Sequence, residues 1–294
     1  MRTRDTFGDR VFVTICYIVV IFCVFIAIYP LWLVLIYSIS DSQYVNSGDI
    51  WLLPKGISLK GYAEVLSKPA LLRGYWNTIT QTLVGTALNM VLTIPAAYAL
   101  SKKQLPGRGF FMTLILITMF FSGGLIPAFI NMKNLGLLNT WWAIPLSTAV
   151  STYNLIVART FFSSGVPHDL EEAAEIDGCS MAGVFFRIVL PLSKAMLGVI
   201  LLYYVVAHWN NYTSALYYTP NTTDYWPLQM VLRNIVQNLK LAENLDPEQL
   251  VEYAEMYNQI KYAVIVVSSV PVLVLYPFLQ KYFDKGVMLG SVKG

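Results

Sequence analysis

The chain has 294 residues and a formal net charge of +3; 56% are hydrophobic, 13% are charged, and the mean hydropathy is +0.56. Soluble domains hold about 25% charged residues, so the deficit argues against an ordinary soluble domain and for a chain that avoids placing charge in hydrocarbon. The small net charge, with no basic block and no RNA-type aromatic motif, gives no ground for a nucleic-acid partner; the implied medium is a lipid bilayer.

At the N-terminus, Arg2, Arg4 and Arg10 precede a charge-free run from Val11 to Ser40. A cleaved signal core is about 7–15 residues long, whereas a span needs about 20, so this run predicts a retained first helix. Six stretches have spanning character: Val13–Ile36, Thr78–Leu100, Phe110–Ile130, Trp141–Phe161, Leu192–Ala207 and Tyr262–Phe278. Each lacks Asp, Glu, Lys and Arg except for Arg159, near the end of the fourth, and Lys194, near the start of the fifth, where a long basic side chain can snorkel. They are apolar on all faces, so helices fit and the alternating pattern of barrel strands does not. Prolines such as Pro30, Pro95, Pro127, Pro145, Pro271 and Pro277 are tolerated in membrane helices.

Lys and Arg concentrate in alternate polar segments: Arg2, Arg4 and Arg10; Lys102, Lys103 and Arg108; Arg159, Arg187 and Lys194; Lys281, Lys285 and Lys293. The positive-inside rule then places both termini in the cytoplasm. Two long segments, Asp41–Asn77 and Asn210–Lys261, fall outside, and Ser163–Pro191 falls inside. Cys16, Cys23 and Cys179 suggest no disulfide framework, and no Cys/His cluster has metal-ligand spacing. The two histidines, His168 and His208, show no partner pattern, so no catalytic residue is assigned.

The inside segment reads Val166-Pro167-His168-Asp169-Leu170-Glu171-Glu172-Ala173-Ala174-Glu175-Ile176-Asp177-Gly178. It predicts a short helix with Asp169 as N-cap, acids in the first turn, and Gly178 as the left-handed stop. Ser180 then caps a second helix reaching about Val189, and Pro191 leads into the fifth span. Glu172-Ala173-Ala174, Gly178 and Ile188-Val189-Leu190-Pro191 stand at the spacing of the EAA signature, so the chain resembles the permease subunits of ABC importers. Asn134–Thr140, His208–Asn211, Pro227-Leu228-Gln229 and Lys285–Gly294 are similar to the carbohydrate-uptake branch, whose best-known members are the maltose-type permeases, and closest to its complex- or multiple-sugar subgroup.

The resemblance implies an all-α fold of the type I importer permease with six spanning helices. Residues 1–73 would be the tail, first helix and external loop; 74–280 the core, with the EAA loop at 163–191 and an external loop at 210–261; and 281–294 a cytoplasmic tail. It implies ATPase docking through Glu172, Ala173, Ala174, Asp177, Gly178, Ile188, Leu190 and Pro191. The expected partners are a second homologous permease, two ATP-binding subunits that carry ATP and Mg, and an extracytoplasmic sugar-binding protein. The chain has no phosphate-binding loop of its own and no expected cofactor, and its expected location is a bacterial inner membrane, crossed several times.

Asn77, Gln81 and Asn89 put a polar strip on the second span; Tyr153 and Asn154 do so on the fourth, and Tyr203, Tyr204 and His208 on the fifth. These residue types suit a sugar pathway; interhelical hydrogen bonding or interfacial anchoring is the alternative reading of the same residues. By the resemblance, Tyr217, Tyr218, Asn221 and Tyr225 in the long external loop are candidates for docking the binding protein. A secondary sugar transporter would show more spans, a repeat and buried acids. An intramembrane enzyme would show a nucleophile and base or metal ligands, and a channel would show a filter-like loop. An ABC importer for a non-sugar solute remains an alternative.

Overall fold

The computed structural model describes residues 6–241, 260–271 and 273–274. Expectations for residues 242–259 of the external loop, for the last residues of the sixth span and for the 281–294 tail lie outside these. Every regular element among the described residues is helical, apart from one isolated bridge between Ser40 and Ile57. The chain divides into two compact units, residues 1–68 with 235–269 and residues 69–234 with 270–294.

In the first unit, α1 (Phe7–Ser38) begins at a capping box: Asp9 N–H donates to Thr6 Oγ1, and the Asp9 carboxylate accepts from Thr6 N–H at 2.9 Å. Its most apolar stretch has a mean hydropathy of 3.2 and no buried residue, as expected of a helix solvated by lipid. The chain then folds back along the end of α1. Trp32 Nε1–H donates to Leu52 O at 2.9 Å, Tyr37 OH to Ile50 O at 3.3 Å and Ser58 N–H to Ile39 O at 2.9 Å. Short helices α2 (Ser42–Ser47) and α3 (Lys60–Leu66) follow.

The second unit is organised around α4 (Pro69–Ser101). Asn77, Gln81, Gly85, Asn89, Thr93 and Ala97 recur every four residues along it, and all six are buried. That spacing aligns them on one face, which packs on α8 (Thr152–Ser164) and α11 (Lys194–Trp209). Hydrophobic collapse cannot hold helices together in lipid; close packing and interhelical hydrogen bonds do, the latter averaging about 0.6 kcal/mol each.

Two predicted spans are not continuous. The Phe110–Ile130 stretch forms α5 (Arg108–Phe120) and α6 (Leu125–Asn134), whose axes meet at 117°. The turn uses Ser122-Gly123-Gly124, with Gly124 at φ +86°, a conformation that costs glycine nothing. The Trp141–Phe161 stretch forms α7 (Ala143–Ser147) and α8, separated by Thr148–Ser151. Ahead of α11, a helix over Met181–Leu192 (α10) meets it at 82°. By length and composition, α1 and α4 qualify as spans, and up to four elements do if each bent pair crosses once; the sequence leads one to expect six. A shorter apolar helix, Ile260–Pro271, stands where the sixth was predicted.

The main core of this unit joins Ile94, Ala97 and Tyr98 of α4 to Ala158 and Phe162 of α8 and to Ile200 and Tyr204 of α11. Ala174, Val184, Phe185 and Val189 from the 168–192 segment complete it.

Candidate functional site

The EAA segment folds as α9 (His168–Ile176), and its N-cap is Pro167, not Asp169. Proline's fixed φ suits the approach to a helix and its missing N–H costs nothing there, so Asp169 falls in the first turn, where the helix dipole still favours it. Gly178 ends the segment as predicted, at φ +80°. Cys179 N–H donates to Ala174 O at 2.9 Å and Gly178 N–H to Glu175 O at 3.0 Å, the double closure of a Schellman motif. Ser180 caps the next helix by accepting from Gly183 N–H at 3.2 Å. That helix widens to a π turn over Phe185–Val189, with Leu190 N–H donating to Phe185 O; Pro191, which lacks an N–H, follows directly.

The two faces of α9 differ. Glu171 and Ala174 are buried inward, while Glu172, Ala173, Glu175, Ile176, Asp177 and Gly178 are exposed. Ile176 is 86% exposed, a large apolar side chain offered at the tip. Of the second half of the signature, Ile188 and Leu190 are half-buried and Pro191 is exposed. Glu171 pairs with Lys102, one residue past the end of α4, and the Lys102 ammonium lies 4.4 Å from the centroid of the Tyr98 ring. Burial pushes the Lys102 pKa below its usual range, and the Glu175 carboxylate opposes that shift.

The polar residues of the fourth and fifth predicted spans converge on a cavity of about 700 Å³. Tyr153 and Asn154 of α8 and Tyr203, Tyr204 and His208 of α11 line it, joined by Ser147, Thr148, Ser151 and Asn211. No Asp, Glu, Lys or Arg stands among its lining residues. The Tyr153 and Tyr203 rings, both exposed, lie 6.3 Å apart at 47°. The cavity is built on the break between α7 and α8, whose free carbonyls need donors. Asn89 supplies them, its Nδ2 donating to Thr148 O at 2.6 Å and Ala149 O at 2.8 Å. Asn89 Oδ1 therefore acts as acceptor for His208 Nε2–H at 2.6 Å. Tyr204 OH lies 2.7 Å from Thr93 Oγ1 and accepts from Ser151 N–H at 3.2 Å. The His208 ring rests where a Cβ on Gly85 would stand.

Asn77 and Gln81, by contrast, do not line the cavity. Asn77 Nδ2 donates to Asp224 O at 2.7 Å and Trp226 O at 3.0 Å, and Gln81 Nε2 to Tyr225 O at 2.8 Å. Thr78 Oγ1 accepts from Leu228 N–H at 2.7 Å, and Arg73 pairs with Asp224 in the open. These contacts strap the 224–228 segment to α4. The other side of this loop is held by Asn139, a non-glycine residue at φ +58°, whose N–H donates to Tyr218 O at 2.7 Å. Tyr218 is buried with Met132 and Ala143, Tyr217 packs against that cluster, Tyr225 is half-buried and Asn221 is exposed. Sequence reasoning missed Ser147, Thr148, Ser151 and Asn211; for the first three, hydroxyls crowded into an otherwise apolar stretch were the available signal.

A family model described as "Binding-protein-dependent transport system inner membrane component" matches residues 3–289. Protein LplC of Bacillus subtilis (strain 168) is 42% identical over 270 residues, covering 92% of this chain and 90% of the relative. The polygalacturonan/rhamnogalacturonan transport system permease protein YtcP of the same organism is 40% identical over 286 residues, covering 97% and 99%. Among solved structures, a chain of a bacterial ABC transporter involved in the import of the acidic polysaccharide alginate superposes with a TM-score of 0.84 at 32% identity, covering 96% of this chain and 99% of that one. With the α-helical architecture and the EAA segment in place, these likenesses show that the chain belongs to the family of inner membrane components of binding-protein-dependent transport systems.

Proposed function

We propose that this chain is the permease subunit of an ATP-driven importer for a carbohydrate, an oligosaccharide in particular, and that its cavity lines one half of the path. The observation that carries the reading is the cavity itself: exposed tyrosine faces beside amides and hydroxyls, with no fixed charge. Such a surface stacks on sugar rings and exchanges hydrogen bonds with hydroxyls. The relatives support the substrate class, since YtcP and an arabinooligosaccharide permease of Halalkalibacterium halodurans, 30% identical, carry saccharides by name. The uncharged lining favours neutral saccharides over uronates on this half of the path.

The exposed face of α9 is the coupling surface in this reading. Glu172, Ala173, Ile176 and Gly178 meet an ATP-binding subunit, with Ala174 and the Ile188-Val189-Leu190 run holding the helix against the core. An apolar side chain as exposed as Ile176 suits insertion into a partner's cleft. The assembly contains a second permease, two ATP-binding subunits that hydrolyse ATP with Mg, and an extracytoplasmic binding protein. Both termini and α9 lie on the cytoplasmic side of a bacterial inner membrane, crossed six times, and the 219–226 loop lies outside. There Asn221 docks the binding protein, Tyr225 stands beside it, and Tyr217 and Tyr218 support the loop from beneath.

Uptake by proteoliposomes holding the assembled complex and its binding protein tests this. A labelled neutral pentose or hexose trisaccharide should accumulate with ATP, and Tyr153→Ala with Tyr203→Ala should lower that uptake severalfold while assembly persists. Failure to carry any neutral or acidic oligosaccharide would overturn the carbohydrate assignment.

A further inference from the structure

Beside α9 lies a second, smaller cavity of about 250 Å³, at the ends of three helices. Lys102 and Lys103 enter it from the end of α4, Arg108 from the start of α5 and Arg159 from α8; Glu171 is the one carboxylate in its lining. Glu171 is held by Lys102. Among the described residues no carboxylate pairs with Lys103, Arg108 or Arg159.

The two arginines converge on one atom. Arg108 Nε–H donates to Leu100 O at 2.9 Å and Arg159 Nε–H donates to the same oxygen at 3.4 Å. Leu100 is in the last turn of α4, where carbonyls lack helical partners and basic groups are favoured. One carbonyl dipole does not neutralise two adjacent guanidinium groups. Their remaining N–H donors, with the exposed Lys103 ammonium, form a fork suited to a phosphate. The cavity adjoins α5, an apolar helix in which none of the 13 residues is buried, with Phe110, Phe111 and Leu114 exposed. A charged pocket at helix ends next to an apolar helix that this chain leaves uncovered matches a phospholipid: phosphate in the pocket, acyl chains along the helix.

We propose that Lys103, Arg108 and Arg159 form a binding site for the phosphate of an anionic phospholipid, with α5 as the bed for its chains. The site requires only that the chain lies in a bilayer, so it stands or falls apart from the transported solute. It is a structural lipid site between helix ends, separate from the cavity proposed for the saccharide.

The test is lipid retention by native mass spectrometry on the assembled complex, exchanged into dodecyl maltoside micelles with equal phosphatidylglycerol and phosphatidylcholine. Phosphatidylglycerol should be retained in preference. Arg108→Gln with Arg159→Gln should lower that preference roughly ten- to thirtyfold, on the scale of two lost cation contacts. If that variant fails to fold without its Leu100 contacts, Lys103→Gln, at an exposed side chain, should still lower it several-fold, while Lys133→Gln on α6 should not. Equal retention of the two lipids, or retention untouched by Lys103→Gln, overturns the proposal. Displacement of the lipid by 10 mM inorganic phosphate overturns it in favour of a soluble anion. Retention by the isolated chain that vanishes in the complex assigns the site to a partner's carboxylate and overturns it too.

Discussion

Lys102 and Glu171 close the joint between α4 and α9, with the Lys102 ammonium laid over the Tyr98 ring. The Glu171 side chain is 6% exposed and that of Lys102 21%, so the pair is shielded. Removing one partner from such a pair leaves a buried charge and costs about 3–5 kcal/mol, whereas replacing both with apolar groups costs far less. Lys102→Met should therefore lower the detergent-solubilised melting temperature clearly, and Lys102→Met with Glu171→Met should recover most of the loss. Identical melts for the single variant and the parent would show that the pair contributes nothing to stability.

Gly85→Ala tests the contact of α4 with the His208 ring of α11. The new methyl would meet the His208 ring, and overpacking of that kind costs about 1–3 kcal/mol. Truncating the ring in the same chain, Gly85→Ala with His208→Ala, should cost less than the sum of the two single changes by at least about 0.5 kcal/mol. Additive melts would mean that the ring moves aside freely.

At Gly178 the backbone sits at φ +80°. Gly178→Val should abolish binding-protein-stimulated ATPase activity and uptake while the chain still inserts, because a β-branched residue resists that conformation. Gly178→Asn, which tolerates it, should keep most of the activity. Glu172→Lys, on the exposed face of α9, should uncouple while the chain still inserts. Normal uptake by both Gly178→Val and Glu172→Lys would remove α9 from coupling.

Sidedness is open to cysteine labelling. Ser180 and Thr223 are both exposed. In a chain freed of Cys16, Cys23 and Cys179, a thiol at Ser180 should react only from the cytoplasm and one at Thr223 only from outside. Reaction of both from one side would invert half of the proposed topology.

The strap on the 224–228 segment separates strong from weak contacts. Arg73 and Asp224 are 59% and 66% exposed, and exposed pairs contribute about 0–1 kcal/mol. Asn77 is buried and serves two carbonyls. Asn77→Ala should open this loop to protease nicking, and Asp224→Ala should not. Asn221→Trp, at an exposed position, should reduce stimulation by the binding protein yet leave basal ATPase activity unchanged. Nicking equal in the two strap variants would refute the ranking.

Local chemistry made much of this fold legible. The four-residue recurrence from Asn77 to Asn89 forecast one buried polar face on α4, and Gly178 and Ser180 forecast their own turn and cap. The tyrosines, Asn154 and His208 from two separate spans do share one cavity. The sequence did not reveal where apolar runs break. Gly123-Gly124 is a visible turn signal, but unbroken hydrophobicity on both sides masked it. The opening at Thr148–Ser151 depends on Asn89, 59 residues away, donating to its carbonyls. Of the two readings the sequence left open for Asn77 and Gln81, their hydrogen bonds match the bonding one, with partners that are loop carbonyls about 145 residues later.

The contact of Gly85 with the His208 ring also gives α4 a fulcrum. At 1.5 Å per residue, Ser101 lies roughly 24 Å to one side of it and Arg73 roughly 18 Å to the other. A tilt of about 5° about that point would carry the two ends roughly 2 Å and 1.5 Å in opposite senses. One end is pinned to α9 through Lys102, and the other holds the 224–228 loop through Asn77 and Thr78. A seesaw so anchored makes the displacement of one attachment the mirror of the other, with no hinge in between except at Pro95.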